Sequence, residues 1–277
     1  MLSKIGLLCM NLFDKEVFMT LIYEIIHHFR LILILGKNDF QNKYLGSGLG
    51  SIWGFVNPVI QLITYMFVYQ VIFKTESDIP FIVSFFPVLI VWMFLSETMI
   101  SSATSIRNYS YLVKKIKFPI DIIPIIPIVS SYIVFLLLNL FVMVINIFNG
   151  FNPNLLLLVY MHISMLAFII AYSRLFSALN TIIPDVSHFI SSSMQVLFWI
   201  SPILWSFDAI DSRYQTILML NPLSYIIDGF RAVYIPTHYW FTYVSKNSLL
   251  FWGITLVLYF YGNYVFKKTQ KEFADAL

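Results

Sequence analysis

IDIIPIIPIVSSYIVFLLLNLFVMVINIF, residues 120–148, carries a single charged residue, Asp121, at its second position. A helix that crosses a hydrocarbon core needs about 20 mainly apolar residues. Inside lipid its backbone groups must be satisfied within the helix, so this stretch reads as a transmembrane span. Five more stretches read the same way: Trp53–Phe73, Phe81–Ser105, Leu155–Ser173, Val186–Ser206 and Ser248–Phe266. The composition agrees. Of 277 residues, 59% are apolar and 11% charged, whereas a soluble domain carries about 25% charged residues. A disordered chain, a nucleic-acid-binding domain and an ordinary cytosolic enzyme are excluded. One cysteine, Cys9, excludes a disulfide framework, a Cys-based zinc site and an iron–sulfur cluster. The reading is a single all-α polytopic membrane domain over residues 1–277, with six transmembrane helices.

Upstream of the first span, Val17–Leu35 is apolar on average but contains Glu24, His27, His28 and Arg30. Asp14, Lys15 and Glu16 precede it and no small-residue cleavage site follows, which argues against a signal peptide. A helix lying in the membrane interface over residues 12–40 fits better. Lys and Arg then orient the chain. Lys4, Lys15, Arg30, Lys37 and Lys43 precede the first span; Arg107, Lys114, Lys115 and Lys117 follow the second; Arg174 follows the fourth; Lys267, Lys268 and Lys271 close the chain. The opposite side holds Lys74, Arg213, Arg231 and Lys246. Cationic loops stay cytoplasmic, so both termini are expected inside the cell.

Two connections stand out. The basic cytoplasmic segment 106–118 is long enough for a short helix stopped at Pro119. The external segment 207–247 is too apolar for a solvated loop, with Leu223, Ile226, Ile227, Phe230 and Tyr234 at helical spacing after the break at Asn221-Pro222. Twelve helical residues reach about 18 Å, too short to cross about 30 Å of hydrocarbon. Re-entrant external helices packed on protein are expected. Asn221 can cap the second of them with Pro222 at its first position, and Asp228 and Arg231 are spaced to pair.

A search for chemistry finds no G-x-x-x-x-G-K-[ST] phosphate loop, no H-E-x-x-H and no G-x-S-x-G. Gly46-Ser47-Gly48-Leu49-Gly50 lacks nucleotide-loop spacing and reads as a flexible break into the first span. Polar residues inside spans are costly and face protein or water. In the first span Asn57, Gln61 and Thr64 share a face, with Tyr65 beside them and Tyr69 one turn further. In the fifth, His188, Ser192, Gln195, Trp199 and Ser206 form a second stripe with Pro202 on it, all within about 40° of His188. Two uncharged stripes with aromatic rings suit a passage for a polar cargo. They equally suit helix–helix hydrogen bonding, and the spacing does not choose. Glu97, the one acid well inside a span, reads as an anchor to a neighbouring helix.

The order of these features resembles a family. Tyr44-Leu45-Gly46-Ser47-Gly48-Leu49-Gly50-Ser51-Ile52-Trp53 followed by Asn57-Pro58 resembles the entry to the first span of ABC-2 type polysaccharide exporter permeases, the transmembrane subunits for O-antigen, capsule and teichoic acid export. Ser177-Ala178-Leu179-Asn180 with Asp185, Ser201-Pro202, and Asn221-Pro222-Leu223 through Asp228-Gly229-Phe230-Arg231 resemble later motifs in the same order, with Pro184 where Arg is usual. The resemblance implies a homodimeric permease in the bacterial inner membrane, among membrane lipids, paired with two copies of a separate ATPase subunit. It implies no cofactor on this chain, ATP and Mg being used by the partner, and a lipid-linked polysaccharide as cargo. It implies a coupling helix over 106–118 with Arg107, Tyr111, Lys114, Lys115 and Lys117 facing the ATPase. It implies a channel lined by Asn57, Gln61, Tyr65, Tyr69, Ser192, Gln195 and Trp199. It implies an external gate in 207–247 with Pro202, Asn221, Pro222, Leu223, Ile227, Phe230 and Arg231, no residue being catalytic. An ABC-2 permease for a lipid or drug is the alternative within the family. A membrane glycosyl or phosphoglycosyl transferase is the alternative outside it, and would need clustered acids at a membrane face.

Overall fold

The computed structural model describes residues 21, 23–72, 79–115, 118–207, 210–235 and 238–277, with backbone alone at 212, 216 and 238–246. The described residues form helices and connecting turns, with no strand among them. In chain order the helices are α1 (Phe29–Asn42), α2 (Trp53–Phe67, continued by a wider turn over Val68–Ile72), α3 (Phe81–Asn108), α4 (Ile126–Phe148), α5 (Leu155–Ile182), α6 (Asp185–Ile200), α7 (Ser212–Leu218), α8 (Pro222–Ala232) and α9 (His238–Thr269). A 3-10 turn, Ile120–Ile125, leads into α4.

Among the described residues, five helical segments are long and apolar enough to cross a membrane: Gly50–Ile72, Phe81–Asn108, Ile120–Phe148, Leu155–Ile182 and Asn247–Ala276. The chain is a multi-pass membrane protein. The stretch expected as the fifth of six spans, Val186–Ser206, instead forms α6, a helix of 16 residues. That is about 24 Å of helix, short of a full crossing. Pro202 is the reason. The residue before a proline is pushed out of the helical region, and Ser201 is extended at φ −80°, ψ 151°. The polar stripe therefore ends with the helix, and Ser206 lies beyond it.

The core is built around α3, whose apolar window is 67% buried inside the chain, against 6% for the window of α2. Helix α3 packs on α4, α5, α6 and α8, while α5 packs along α9 and α1 along α4. Lipid offers no hydrophobic drive to bring helices together, so close backbone approach at small residues matters. A Cβ at Gly36 in α1 would lie 2.5 Å from Val129 Cγ1 in α4, and one at Gly262 in α9 would lie 3.0 Å from the Leu175 amide nitrogen in α5. The turn between α1 and α2 uses two of its glycines at positive φ, Gly46 at 86° and Gly50 at 54°, a region that suits glycine.

Of the stretch expected as an interfacial helix, residue 21 and residues 23–40 are described, and residues 12–20 and 22 lie outside the described residues. Within α1, Ile32 and Gly36 are buried, Gly36 against Val129 of α4 and Ile32 beside Ile122 and Ile125 of the 3-10 turn. Arg174, read from sequence as a loop cation, is instead inside α5 and buried, because the helix runs on to Ile182.

At one end of the bundle lie segment 106–115, the 3-10 turn and the C-terminal turn Phe273–Ala276, joined by Ile106, Leu112, Val113, Ile123, Phe266 and Phe273. At the other end the Asn154 amide donates to the Val233 carbonyl at 2.8 Å, fixing the end of α8 against the start of α5.

Candidate functional site

On the terminus side of the bundle, α2, α3 and α4 enclose a cleft of about 300 Å³. Asn57 and Gln61 of α2, Ser96 and Glu97 of α3, Ser131 of α4 and Tyr44 give it a polar rim, and Ile90, Phe94, Val134 and Phe135 an apolar wall. Glu97 has a basic partner: the Lys43 ammonium donates to its Oε1 at 2.8 Å and to Ser131 Oγ at 3.4 Å. Lys43 also lies 3.7 Å from Asp39 Oδ2. One cation thus stands between two carboxylates. Burial, and then the nearby Glu97 charge, push the Tyr44 phenol above its ordinary range, so it stays a hydrogen-bond donor.

The later turns of α2 meet α6 through rings. Tyr65 lies 5.4 Å from Phe85 and 6.5 Å from Phe198, Phe198 contacts Trp92 and Trp199, and Tyr69 stacks on Phe81 at 4.7 Å. Ser192, Gln195 and Trp199 line an exposed face of α6. The structure thus brings Tyr65 beside α6, while Asn57 and Gln61, both exposed, line the cleft with α3 and α4. Phe198, which joins the two helices, belonged to no polar stripe and was missed in the sequence. Trp205 Nε1–H donates to the Trp199 carbonyl at 3.1 Å, satisfying one acceptor at the end of α6.

At the end of the bundle away from the C-terminus, Asn221 and Pro222 begin α8 as the sequence suggested. Asn221 Oδ1 accepts from the Leu223 amide at 3.1 Å and caps α8, with Pro222 at the first position. Asn221 Nδ2 also donates to Ser201 Oγ at 3.1 Å. Arg231 pairs with Asp228 at 3.0 Å and donates to the Pro202 carbonyl at 2.6 Å. Two motifs separated in sequence, Ser201-Pro202 and Asn221 through Arg231, are therefore one hydrogen-bonded unit. Leu223, Ile227 and Phe230 are 2%, 0% and 0% exposed, and Phe230 packs on Phe135 and His162. They anchor α8 inside the chain. The large apolar residues exposed on and after α7 are Tyr214, Ile217 and Leu220.

On the opposite side, segment 106–115 turns one face in and one face out. After α3 ends at Asn108, Ser110–Val113 forms a single helical turn with Leu112 and Val113 buried. Arg107, Tyr111, Lys114 and Lys115 are exposed, with Lys115 Nζ 5.8 Å from the Tyr111 ring centroid. Lys117 lies outside the described residues. The Tyr109 hydroxyl donates to Asp39 Oδ1 of α1, and burial followed by that bond pushes its pKa well up. Through Asp39 and Lys43 the segment is thus connected to Glu97 and the cleft.

A buried ionic clasp, missed in the sequence, holds the same end. Arg174 of α5 donates from Nη2 to Asp121 Oδ1 at 2.9 Å, from Nη1 to the Asp121 carbonyl at 3.2 Å and from Nε to Asn263 Oδ1 at 2.8 Å. Its guanidinium lies 3.6 Å from the Phe266 ring centroid, and Lys267 adds a second cation 2.9 Å from Asp121 Oδ1. The signal was present: an unbroken apolar helical run to Pro184 puts Arg174 inside it, where it needs an acidic partner.

Among the described residues no cluster of three His, Cys, Asp or Glu side chains could hold a metal ion. The arrangement offers polar and aromatic faces within the membrane and an exposed basic element outside it. Compared with known proteins, the chain is similar to the O-antigen export system permease protein RfbA of Klebsiella pneumoniae, 26% identical over 261 residues, 92% of this chain and 98% of that protein. It is similar to the Myxococcus xanthus protein of the same name, 23% identical over 266 residues, 93% of this chain and 99% of that one. The sequence profile of the ABC-2 type transporters matches residues 30–235. That match takes in α1 through α8, with the cleft, the exposed segment and the unit around Asn221 and Arg231, and the chain belongs to the ABC-2 type transporter family.

Proposed function

We propose that this chain is the transmembrane permease subunit of an ATP-driven exporter that moves a lipid-linked polysaccharide, such as O-antigen, capsule or teichoic acid, across the bacterial inner membrane. One observation carries the reading: polar and aromatic residues of α2 and α6 remain exposed on a chain otherwise apolar at that depth. Polar side chains in a membrane face water or protein, so these faces belong to a polar passage completed by a second copy. Similarity to two O-antigen export permeases over nearly their whole length supports the choice of cargo. In this reading α6 and the turn after it complete a sixth crossing, both termini are cytoplasmic, and α7 with α8 closes the outer mouth. Two copies of a separate ATPase subunit bind ATP and Mg and dock on Arg107, Tyr111, Lys114 and Lys115; Lys117 belongs to the same segment. This chain then performs no hydrolysis.

In cells lacking this chain, surface polysaccharide is expected to fall at least tenfold while the lipid-linked polymer accumulates inside. The wild-type chain restores it. The Lys114→Glu, Lys115→Glu variant inserts normally but neither co-purifies the ATPase nor restores the surface polymer. Surface polysaccharide that persists without the chain contradicts the assignment; full rescue by the variant contradicts the docking surface.

A further inference from the structure

We infer that the cleft between α2, α3 and α4 is a docking site for one neutral sugar unit of the cargo, on the terminus side of the membrane and separate from the exposed face of α6. This rests on the polysaccharide reading proposed above. The Asn57 and Gln61 amides make no hydrogen bond among the described residues, yet they sit in a span where polar groups need partners. Each amide offers donors and an acceptor. Glu97 adds a carboxylate held at one oxygen by Lys43, Tyr44 a hydroxyl, and Phe94 and Phe135 an apolar wall. Hydroxyls on one edge and C–H groups on a face are what a sugar ring presents to such a mixed lining.

Charge narrows the choice. Lys43 stands between Glu97 and Asp39, so the formal charge of the trio is −1. A phosphate or diphosphate head is repelled, and a metal ion finds its carboxylates already engaged by an ammonium. A neutral polyol fits without a further counter-charge. The volume, about 300 Å³, lies at the lower end of the range for small-ligand sites, which suits one ring rather than a stretch of polymer. Asn57 and Gln61 lie one and two turns into α2, so the ring would be held before it meets the aromatic seam at Tyr65 and Phe198.

A photo-crosslinking residue placed at Gln61 in the full transporter, in cells making the polymer, tests this. Ile63, exposed elsewhere on α2, is the control, and Gln195 reports the α6 face. Glycan-bearing adducts should form at 61 at least five times more often than at 63, and Asn57→Leu should cut the yield at 61 several-fold while the ATPase still co-purifies. Glycan at 61 no higher than at 63 overturns the proposal and leaves the cleft filled by water. If 195 still captures glycan in that case, the polysaccharide reading stands and only the cleft assignment fails. If neither position captures it and surface polymer survives loss of the chain, both fall.

Discussion

Replacing Asp121 by asparagine is expected to cost about 3–5 kcal/mol, because it strands a buried guanidinium without its anion. Arg174 is 1% exposed and cannot turn to water. In detergent the purified protein should lose roughly 10 °C of Tm, and its yield from membranes should fall. Arg174→Met should cost less, since Lys267 still neutralises Asp121 and methionine can refill the space against Phe266. Lys267→Met should cost least, its side chain being 39% exposed. Arg174→Lys should not restore stability, because lysine lacks the planar fork that reaches Asp121, its carbonyl and Asn263 together. Combining Asp121→Asn with Arg174→Met should recover part of the loss, as expected for residues of one network. Equal, mild effects from Asp121→Asn, Arg174→Met and Lys267→Met would show that the clasp holds nothing.

The second large effect is at α7 and α8. Substituting Leu223, Ile227 and Phe230 together with serine is expected to abolish assembly. Truncating a buried Phe alone costs about 3–5 kcal/mol, and each new hydroxyl must find a partner in a site that has been apolar. Three such losses approach the whole stability of a typical domain, about 5–15 kcal/mol. The variant should therefore fail to co-purify with the ATPase. Tyr214, Ile217 and Leu220 are 62%, 65% and 57% exposed. Their triple serine variant should fold and assemble normally. In planar bilayers without ATP it should conduct ions, if the outward face of this segment closes the mouth. A tight bilayer places the seal elsewhere, and an assembled, stable α8 variant contradicts the packing described for Phe230 against Phe135 and His162.

Why some of this was legible from sequence and some was not follows from which interactions are local. The spans of α3 and α4 declare themselves through uninterrupted apolar runs. The cap of α8 is a three-residue matter, so Asn221-Pro222 announced it. What escaped depends on the distant packing of helices. Arg174 resembles a positive loop until α5 is allowed to run to Ile182, and its partner Asp121 is 53 residues away. Glu97 had no visible basic partner because Lys43 comes from just after α1, 54 residues earlier. The faces of α2 were assigned by helical period alone, which places Asn57 and Gln61 together but does not say which neighbour they meet. Aromatic spacing marked Tyr65 and Trp199, whereas Phe198, the ring that links them, looked like any lipid-facing phenylalanine. The apolar spacing of Leu223, Ile227 and Phe230 says that they share a face of α8 but not what that face meets, which in the structure is the chain's own core.

The central claim is tested most directly by reconstitution. The purified chain and its ATPase partner are placed in vesicles with the lipid-linked polysaccharide offered on the side where the ATPase is exposed, and the glycan's susceptibility to an added glycosidase is followed. The account predicts that Mg-ATP moves the glycan into the protected lumen only when both subunits are present, and that the chain alone moves none. Glycan that stays digestible while the assembled ATPase turns over, or that crosses without the partner, would contradict it.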